Sequence, residues 1–366
     1  MKKIIIAGGI VAVGATSAIG GGIDRSGQSV SPLFEKGNYV ELSYGYASPN
    51  VSGVAIPGLG GFPSGDMAGN YGMTSFAFKK SFTKNIDAAL IYDQPFGASV
   101  NYPTGTGYFA GGSTAKLSTN ALTGLLKYRT DSNISVYGGV RWQTMGETAA
   151  VPFVSNYTAS GSRVGAFGYV AGVAYEKPEI ALRIALTYSS RISYDIPTYE
   201  NSTALGVMNT TTKVKTPQSI NLDFQTGVNP TTLVFGSIRW VDWKHFDITP
   251  TEYKLLTSGG SLVSYDNNTI TYSVGVGHKF TDHWSGAVVL GYEPKVGGFA
   301  SNLGPTDGRE SIGLGATYTQ GNMKITGGVS YVRIGSAQTT LNGTTAASNF
   351  NSNHAIAFGV KVGYTF

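Results

Sequence analysis

The sequence predicts an all-β fold, a transmembrane antiparallel β-barrel of about 14 strands. Three observations carry this. Only 13% of the 366 residues are charged, about half the roughly 25% usual for soluble domains. Past the N-terminus no run of about 18 apolar residues could cross a membrane as a helix. Apolar side chains instead recur at every second position in one segment after another, separated by small or polar residues, the pattern of strands with one face toward lipid.

Residues 1–20 come first and are set apart from the fold. Lys2 and Lys3 precede an apolar stretch from Ile4 to Val13 and small residues through Ala15, Thr16, Ser17 and Ala18. This is the three-part pattern of a secretory signal peptide, with cleavage expected after Ala18 or Gly20. The remaining chain reads as one domain, with no linker between differently composed halves.

The first alternating segment, 38–47, puts Val40, Leu42, Tyr44 and Tyr46 on one face and Tyr39, Glu41, Ser43 and Gly45 on the other. Ile86, Leu90 and Tyr92 then oppose Asp87 and Asp93, and Ile134, Val136, Val140 and Trp142 oppose Ser135, Tyr137, Arg141 and Gln143. Phe167, Tyr169, Val173 and Tyr175 form a further face. The run Ile180, Leu182, Ile184, Leu186 and Tyr188 carries Arg183 on its opposite side, and Ile220, Leu222 and Phe224 oppose Asn221, Asp223 and Gln225. The C-terminal third continues with Ile270 to Phe280, Trp284 to Tyr292 and Ile312 to Tyr318, then strands near 324–333 and 355–366. Weaker candidates near 72–80, 114–128 and 233–243 bring the total to about 14, an even number as closure requires.

Connections alternate in length. Short turns are expected at 82–85, 130–133, 176–179, 229–232, 281–283 and 320–322. Long polar loops are expected near 48–71, 94–113, 145–163, 192–213, 245–268, 295–309 and 335–353. Short periplasmic turns and long external loops are the arrangement of a multi-pass protein of the bacterial outer membrane, where lipid and lipopolysaccharide are its surroundings. Aromatic residues near strand ends, Trp142, Tyr188 and Trp284 among them, suit the girdles at the two interfaces. The final strand ends on Phe366, resembling the C-terminal signal that such proteins present to the barrel assembly machinery.

Composition excludes several functions. There is no cysteine, which removes thiol catalysis and thiolate metal sites. The formal charge of +5 falls to about +3 without Lys2 and Lys3, and no basic cluster accompanies it to suggest nucleic acid. The four histidines, His245, His278, His283 and His354, have neither a nucleophile motif nor ligand spacing. No enzyme, metal or cofactor is expected.

Four blocks carry a family likeness: DRSGQSVSPLFEKGNYVELSYGY at 24–46, DQPFGASVNYP at 93–103, ALRIALTYSSRI at 181–192, and TPQSINLDFQTGV at 216–228 followed by RWVDW at 239–243. In this order they resemble the FadL-type outer-membrane transporters of long-chain fatty acids and other hydrophobic compounds. The resemblance implies a monomeric 14-stranded barrel plugged by an N-terminal hatch, with a kinked third strand and passive diffusion of cargo. It divides the chain into a hatch at 21–36, with Asp24, Arg25, Ser26 and Gln28 facing a polar lumen, and a barrel at 37–366. The hatch is shorter than in well-known members and lacks an Asn-Pro-Ala motif.

Pro95 removes a ladder hydrogen bond, and Gly97 adds backbone freedom. Pro95, Phe96 and Gly97 therefore mark either the kink and lateral opening or a plain junction between strand and loop. A fatty acid needs apolar surface and a cation for its carboxylate. By alternation Arg141, Arg183, Arg239, Lys279 and Lys324 point into the lumen with Asp87, Asp93, Asp223 and Glu293. Arg141, Arg183 and Arg239 are the candidate carboxylate partners because guanidinium offers a bidentate fork; a mutually paired ionic network is the alternative. In the third and fourth long loops, Phe153, Val154, Tyr157, Ile196, Tyr199, Leu205, Val207 and Met208 are candidates for the external hydrophobic groove that the family likeness implies. Long-chain fatty acids are the first expectation for cargo and aromatic hydrocarbons the alternative, with a general porin a more distant one.

Overall fold

The computed structural model describes residues 22–366; the expected signal peptide lies outside the described residues. Seventeen strand segments form one antiparallel sheet, and three pairs of them are halves of interrupted strands, so the wall has 14. These are β1 (Tyr39–Asn50), β2 (Tyr71–Ser81), β3a (Ile86–Asp93) with β3b (Gly97–Asn101), β4 (Thr114–Arg129), β5 (Ile134–Val151) and β6 (Tyr157–Lys177). Next come β7a (Leu182–Ser189) with β7b (Ile192–Ser202), β8a (Gly206–Thr216) with β8b (Ser219–Asn229), β9 (Thr232–Val241) and β10 (Thr269–Lys279). The last are β11 (Trp284–Glu293), β12 (Arg309–Gln320), β13 (Met323–Ile334) and β14 (Asn353–Thr365). β1 pairs with β2 on one side and β14 on the other, so the sheet closes and leaves no edge to lipid.

Alternation sets which face is which. Leu42, Leu126, Val140, Phe167, Val274 and Leu314 are exposed on the outside, where lipid would cover them, while Glu41, Asp87, Lys127, Arg141 and Asn221 turn inward and are buried. The lumen wall is laced by hydroxyl pairs such as Ser43–Ser75 at 2.6 Å and Ser237–Ser273 at 2.9 Å. Near the short-turn end, Lys79 and Lys127 hold Asp87 at 2.9 and 3.1 Å, and Lys127 and Arg129 each approach Glu176 to 3.6 Å. Part of the inward charge is thus a paired network.

The expected loops at 145–163 and 192–213 are instead strand. β5 and β6 leave only residues 152–156 between them, and β7b and β8a form a hairpin joined at 203–205. Above the lipid the outward positions no longer need to be apolar, so Thr148, Thr158 and Ser160 occupy them while the ladder continues. Ile180, expected on a strand, lies in the 3-10 turn Pro178–Ile180, since Pro178 has no N–H for a ladder. Lys279 turns from the lumen to Asp282 in the adjoining short turn, 2.8 Å away.

Candidate functional site

The segment ahead of β1 runs inside the barrel. The Asp24 carboxylate receives the Arg239 Nε at 2.6 Å, and Arg239 Nη1 donates to Asn221 Oδ1 at 2.7 Å. Gln28 Oε1 accepts from Ser219 Oγ at 2.9 Å and from Arg239 Nη2 at 3.3 Å. The Asn221 amide donates to the Gly27 carbonyl at 2.9 Å, and the Ser26 hydroxyl donates to Asp93. Lower down, Phe34 meets the Tyr137 ring edge-on at 5.4 Å and lies under Lys127 and Arg183, each 4.8 Å from its centroid. Three polar side chains, one main-chain carbonyl and one ring therefore tie the segment to six wall strands.

The same segment repairs a break in the wall. β3a and β3b both pair with β4, but Gln94–Phe96 between them carries no ladder. Pro95 cannot donate there, and the N-terminal segment enters as a partner: the Arg25 N–H donates to the Pro95 carbonyl at 2.8 Å and the Gly97 N–H to the Ile23 carbonyl at 2.9 Å. Thr119 of β4 caps Phe96 from the other side, its hydroxyl accepting the Phe96 N–H at 2.9 Å. Toward β2 the register stops at Phe76–Tyr92, so 71–75 face the break without a strand partner there. Side chains span the opening instead. Gln94 Oε1 accepts the Thr74 N–H at 3.0 Å, and the Arg25 guanidinium lies 3.7 Å from the Tyr71 ring centroid, close enough for a cation–π contact. A methyl group at Gly97 would come within 2.6 Å of Arg25 Nε, so only glycine leaves that seat free.

Two cavities lie on either side of this level. The outer one, about 40 Å³, is lined by Ile23, Ala98, Leu117, Phe246, Ile248 and Leu262. It belongs to an apolar core in which Trp243 meets Phe96 edge-on at 5.8 Å and Phe246 at 5.6 Å. Its one acidic group, Glu147, has its Oε2 buried with no hydrogen-bond partner. The inner cavity, about 310 Å³, is mixed: Ser43, Ser75, Asn221, Asp223, Arg183 and Arg309 share its wall with Val30, Phe34, Phe224, Leu233 and Phe235.

The three arginines do not converge. Arg239 is held by the N-terminal segment, Arg141 is buried with its Nε on Thr123 Oγ1 at 2.9 Å, and Arg183 faces the inner cavity beside Phe34. The eight groove residues also separate: Tyr157 and Ile196 are fully buried with Val154 packed against them, whereas Tyr199, Leu205 and Val207 are exposed. Phe153 packs edge-on against Phe109 at 5.5 Å, and Met208 lies half-buried on β8a. Glu147, Gln94 and Tyr71 were not singled out by sequence. The first lay within an expected loop, and the other two take their meaning from a break whose partner is 70 residues away in the chain. Among the described residues no group of three or more metal-ligating side chains is assembled.

The family model described as "Outer membrane protein transport protein (OMPP1/FadL/TodX)" matches residues 65–366. No curated protein matches the chain. Among solved structures, a Pseudomonas aeruginosa FadL homologue superposes with a TM-score of 0.73 at 16% identity, covering 91% of each chain. The Pseudomonas putida toluene transporter TodX gives 0.64 at 12% identity over 97% of this chain and 98% of the other. The monoaromatic hydrocarbon channel CymD gives 0.60 at 10% identity over 97% of both. At these identities the structural likeness speaks for the fold.

Proposed function

Since this chain belongs to the OMPP1/FadL/TodX family of outer membrane transport proteins, we propose that its cargo is a small uncharged hydrophobic molecule, of about one aromatic ring, that leaves through the break in the third strand. The chain is an outer membrane channel for hydrophobic compounds and not an enzyme. In this reading residues 21–36 are the hatch, and Pro95, Phe96 and Gly97 frame the exit.

The observation that supports it is the change in polarity along the barrel. The outer cavity is apolar and touches Ala98, one residue past the start of β3b. Below the hatch, serine, asparagine, aspartate and arginine interrupt the apolar wall, and an apolar molecule would give up about 25 cal/mol for each Å² it returns to those polar groups. Sideways exit into lipid carries no such cost. Size points the same way. A cavity needs about 10–15 Å³ per water, so 40 Å³ is room for about three. One ring could enter if residues 246–263 moved outward, whereas an eighteen-carbon chain would need the core rebuilt.

A long-chain fatty acid is the second reading, favoured by Arg183, whose guanidinium faces the inner cavity with Phe34 beside it. The solved toluene and monoaromatic hydrocarbon channels carry those cargoes by name. The test is initial uptake of radiolabelled toluene and oleate by bacteria lacking their own hydrophobic channels and expressing this chain. Toluene entry at least tenfold above background with little oleate entry is expected. Oleate entry that falls when Arg183→Ala is introduced would overturn it.

A further inference from the structure

We infer that Glu147 makes the outer cavity a site for uncharged rings bearing a hydrogen-bond donor, such as phenols and anilines, and that it turns carboxylates away. This rests on the reading above that the outer cavity receives cargo.

Glu147 lies on the inner face of β5, opposite Leu117 of β4 and Gly161 of β6. Gly161 creates the space: a methyl there would stand 2.9 Å from Glu147 Cγ and 2.8 Å from Ile196 Cγ2. The carboxylate thus projects where any larger neighbour would push it aside. Around it the lining is Ala98, Ala115, Leu117, Ala149 and Ile248. Among the described residues no salt bridge reaches it, and Oε2 has no donor. Lys116 touches the same cavity but is exposed on the outward face of β4, at the rim.

A buried acceptor left without a donor is destabilising. A hydrocarbon entering the cavity leaves that cost standing, whereas a hydroxyl or amino group placed on Oε2 removes it. Where Glu147 is ionised, a carboxylate brings a second negative charge into an apolar surround, where repulsion is weakly screened. The order of affinity follows: donor-bearing ring, then plain ring, then ring carboxylate.

Three probes of one shape separate these cases. p-Cresol, toluene and p-toluate share a methylated ring and differ in a single group. Their binding to the purified, detergent-solubilised chain is measured at pH 8, where carboxylates are ionised. In the unaltered chain p-cresol should bind about tenfold more tightly than toluene, and p-toluate more weakly than either. Glu147→Leu should abolish the preference for p-cresol and strengthen toluene. Glu147→Gln, which fills the same space and keeps an acceptor oxygen, should retain the p-cresol preference and relax the exclusion of p-toluate. Each variant is checked for a folded barrel by its heat-modifiable gel mobility. An unchanged ratio of p-cresol to toluene in Glu147→Leu overturns the inference while leaving the neutral-cargo reading intact. So does tight p-toluate binding that disappears in Lys116→Ala. If none of the three probes binds the unaltered chain, the neutral-cargo reading falls and the inference with it.

Discussion

At Gln94–Phe96 the third strand loses its ladder, and a separate stretch of chain, Ile23–Arg25, makes it good. At Ser190–Arg191 the seventh strand loses its ladder, and the wall's own hairpin closes the gap. One row of cross-strand pairs, Thr119–Met145–Val164, links the two places. In the second, β6 pairs with β7a up to Val170–Ser189 and with β7b again only from Gly161–Thr198, so 192–197 have no partner in β6. Ile192 and Ile196 are buried there against Gly168 and Gly161, whose missing side chains would come within 2.6 and 2.8 Å of them. Outside, Asp242 accepts from Arg191 Nη2 at 2.8 Å, Gln218 Nε2 at 3.0 Å and His245 Nδ1 at 2.8 Å.

The difference lies in what must be broken to open each gap. The first seal is two main-chain hydrogen bonds and a set of side-chain contacts from a segment outside the sheet, which can withdraw without disturbing a strand. Opening the second means pulling packed isoleucines from between strands that are themselves part of the wall. If the first break is the exit proposed above, one sequence holds a removable closure and a permanent one at related positions.

Deleting residues 23–34 attacks the removable seal directly. Conductance in planar bilayers should rise at least tenfold while heat-modifiable mobility is kept, because the wall pairings do not depend on the segment. Conductance that stays the same would mean that the segment is not the seal. The next effect comes from tying the first opening shut. The chain has no cysteine, so Thr74→Cys with Gln94→Cys can be joined by a short thiol-reactive linker, and toluene uptake should fall about tenfold relative to the unlinked double variant. Uptake indifferent to the link would move the exit elsewhere.

Ile196→Ala should behave oppositely, lowering stability by about 2–5 kcal/mol in denaturant titration with uptake per folded molecule unchanged. A selective loss of transport would erase the contrast between the two gaps. The smallest effect belongs to Asp242. Burial on its own would raise this carboxyl, but hydrogen bonds from His245, Arg191 and Gln218 outweigh it and hold the group below its ordinary value. A depressed carboxyl contributes stability above its unfolded value, near pH 4, that is lost as pH falls through the lower folded value. Its partners are partly exposed, so Asp242→Asn should cost under about 1 kcal/mol at pH 7, with the difference vanishing once the pH has fallen below the lowered folded value.

Alternation made the strands legible wherever one face meets lipid, since a period of two is easily read from Leu42, Tyr44 or Val274. It failed above the lipid, where Thr148 and Ser160 replace apolar residues though the ladder runs on. The first break was marked by Pro95. The second had no proline or glycine within Ser190–Arg191, and only the tertiary course of β7b reveals it. The lumen position of Arg239 followed from parity, but its commitment to Asp24 did not, because that pair joins residues 215 apart. Tyr157 and Ile196 were sorted as loop residues; on strands their parity places them inside.

That separation of 215 residues also sets an order of events. The N-terminal segment is made first, yet the arginine that anchors it belongs to the ninth strand, and the seam that encloses it, β1 with β14, needs the last residues of the chain. Loop closure over such a span is slow to reward. The segment therefore spends most of assembly untethered, and it must be inside before Phe366 N–H reaches the Asn38 carbonyl at 2.9 Å. A barrel that seals too early would leave that segment outside.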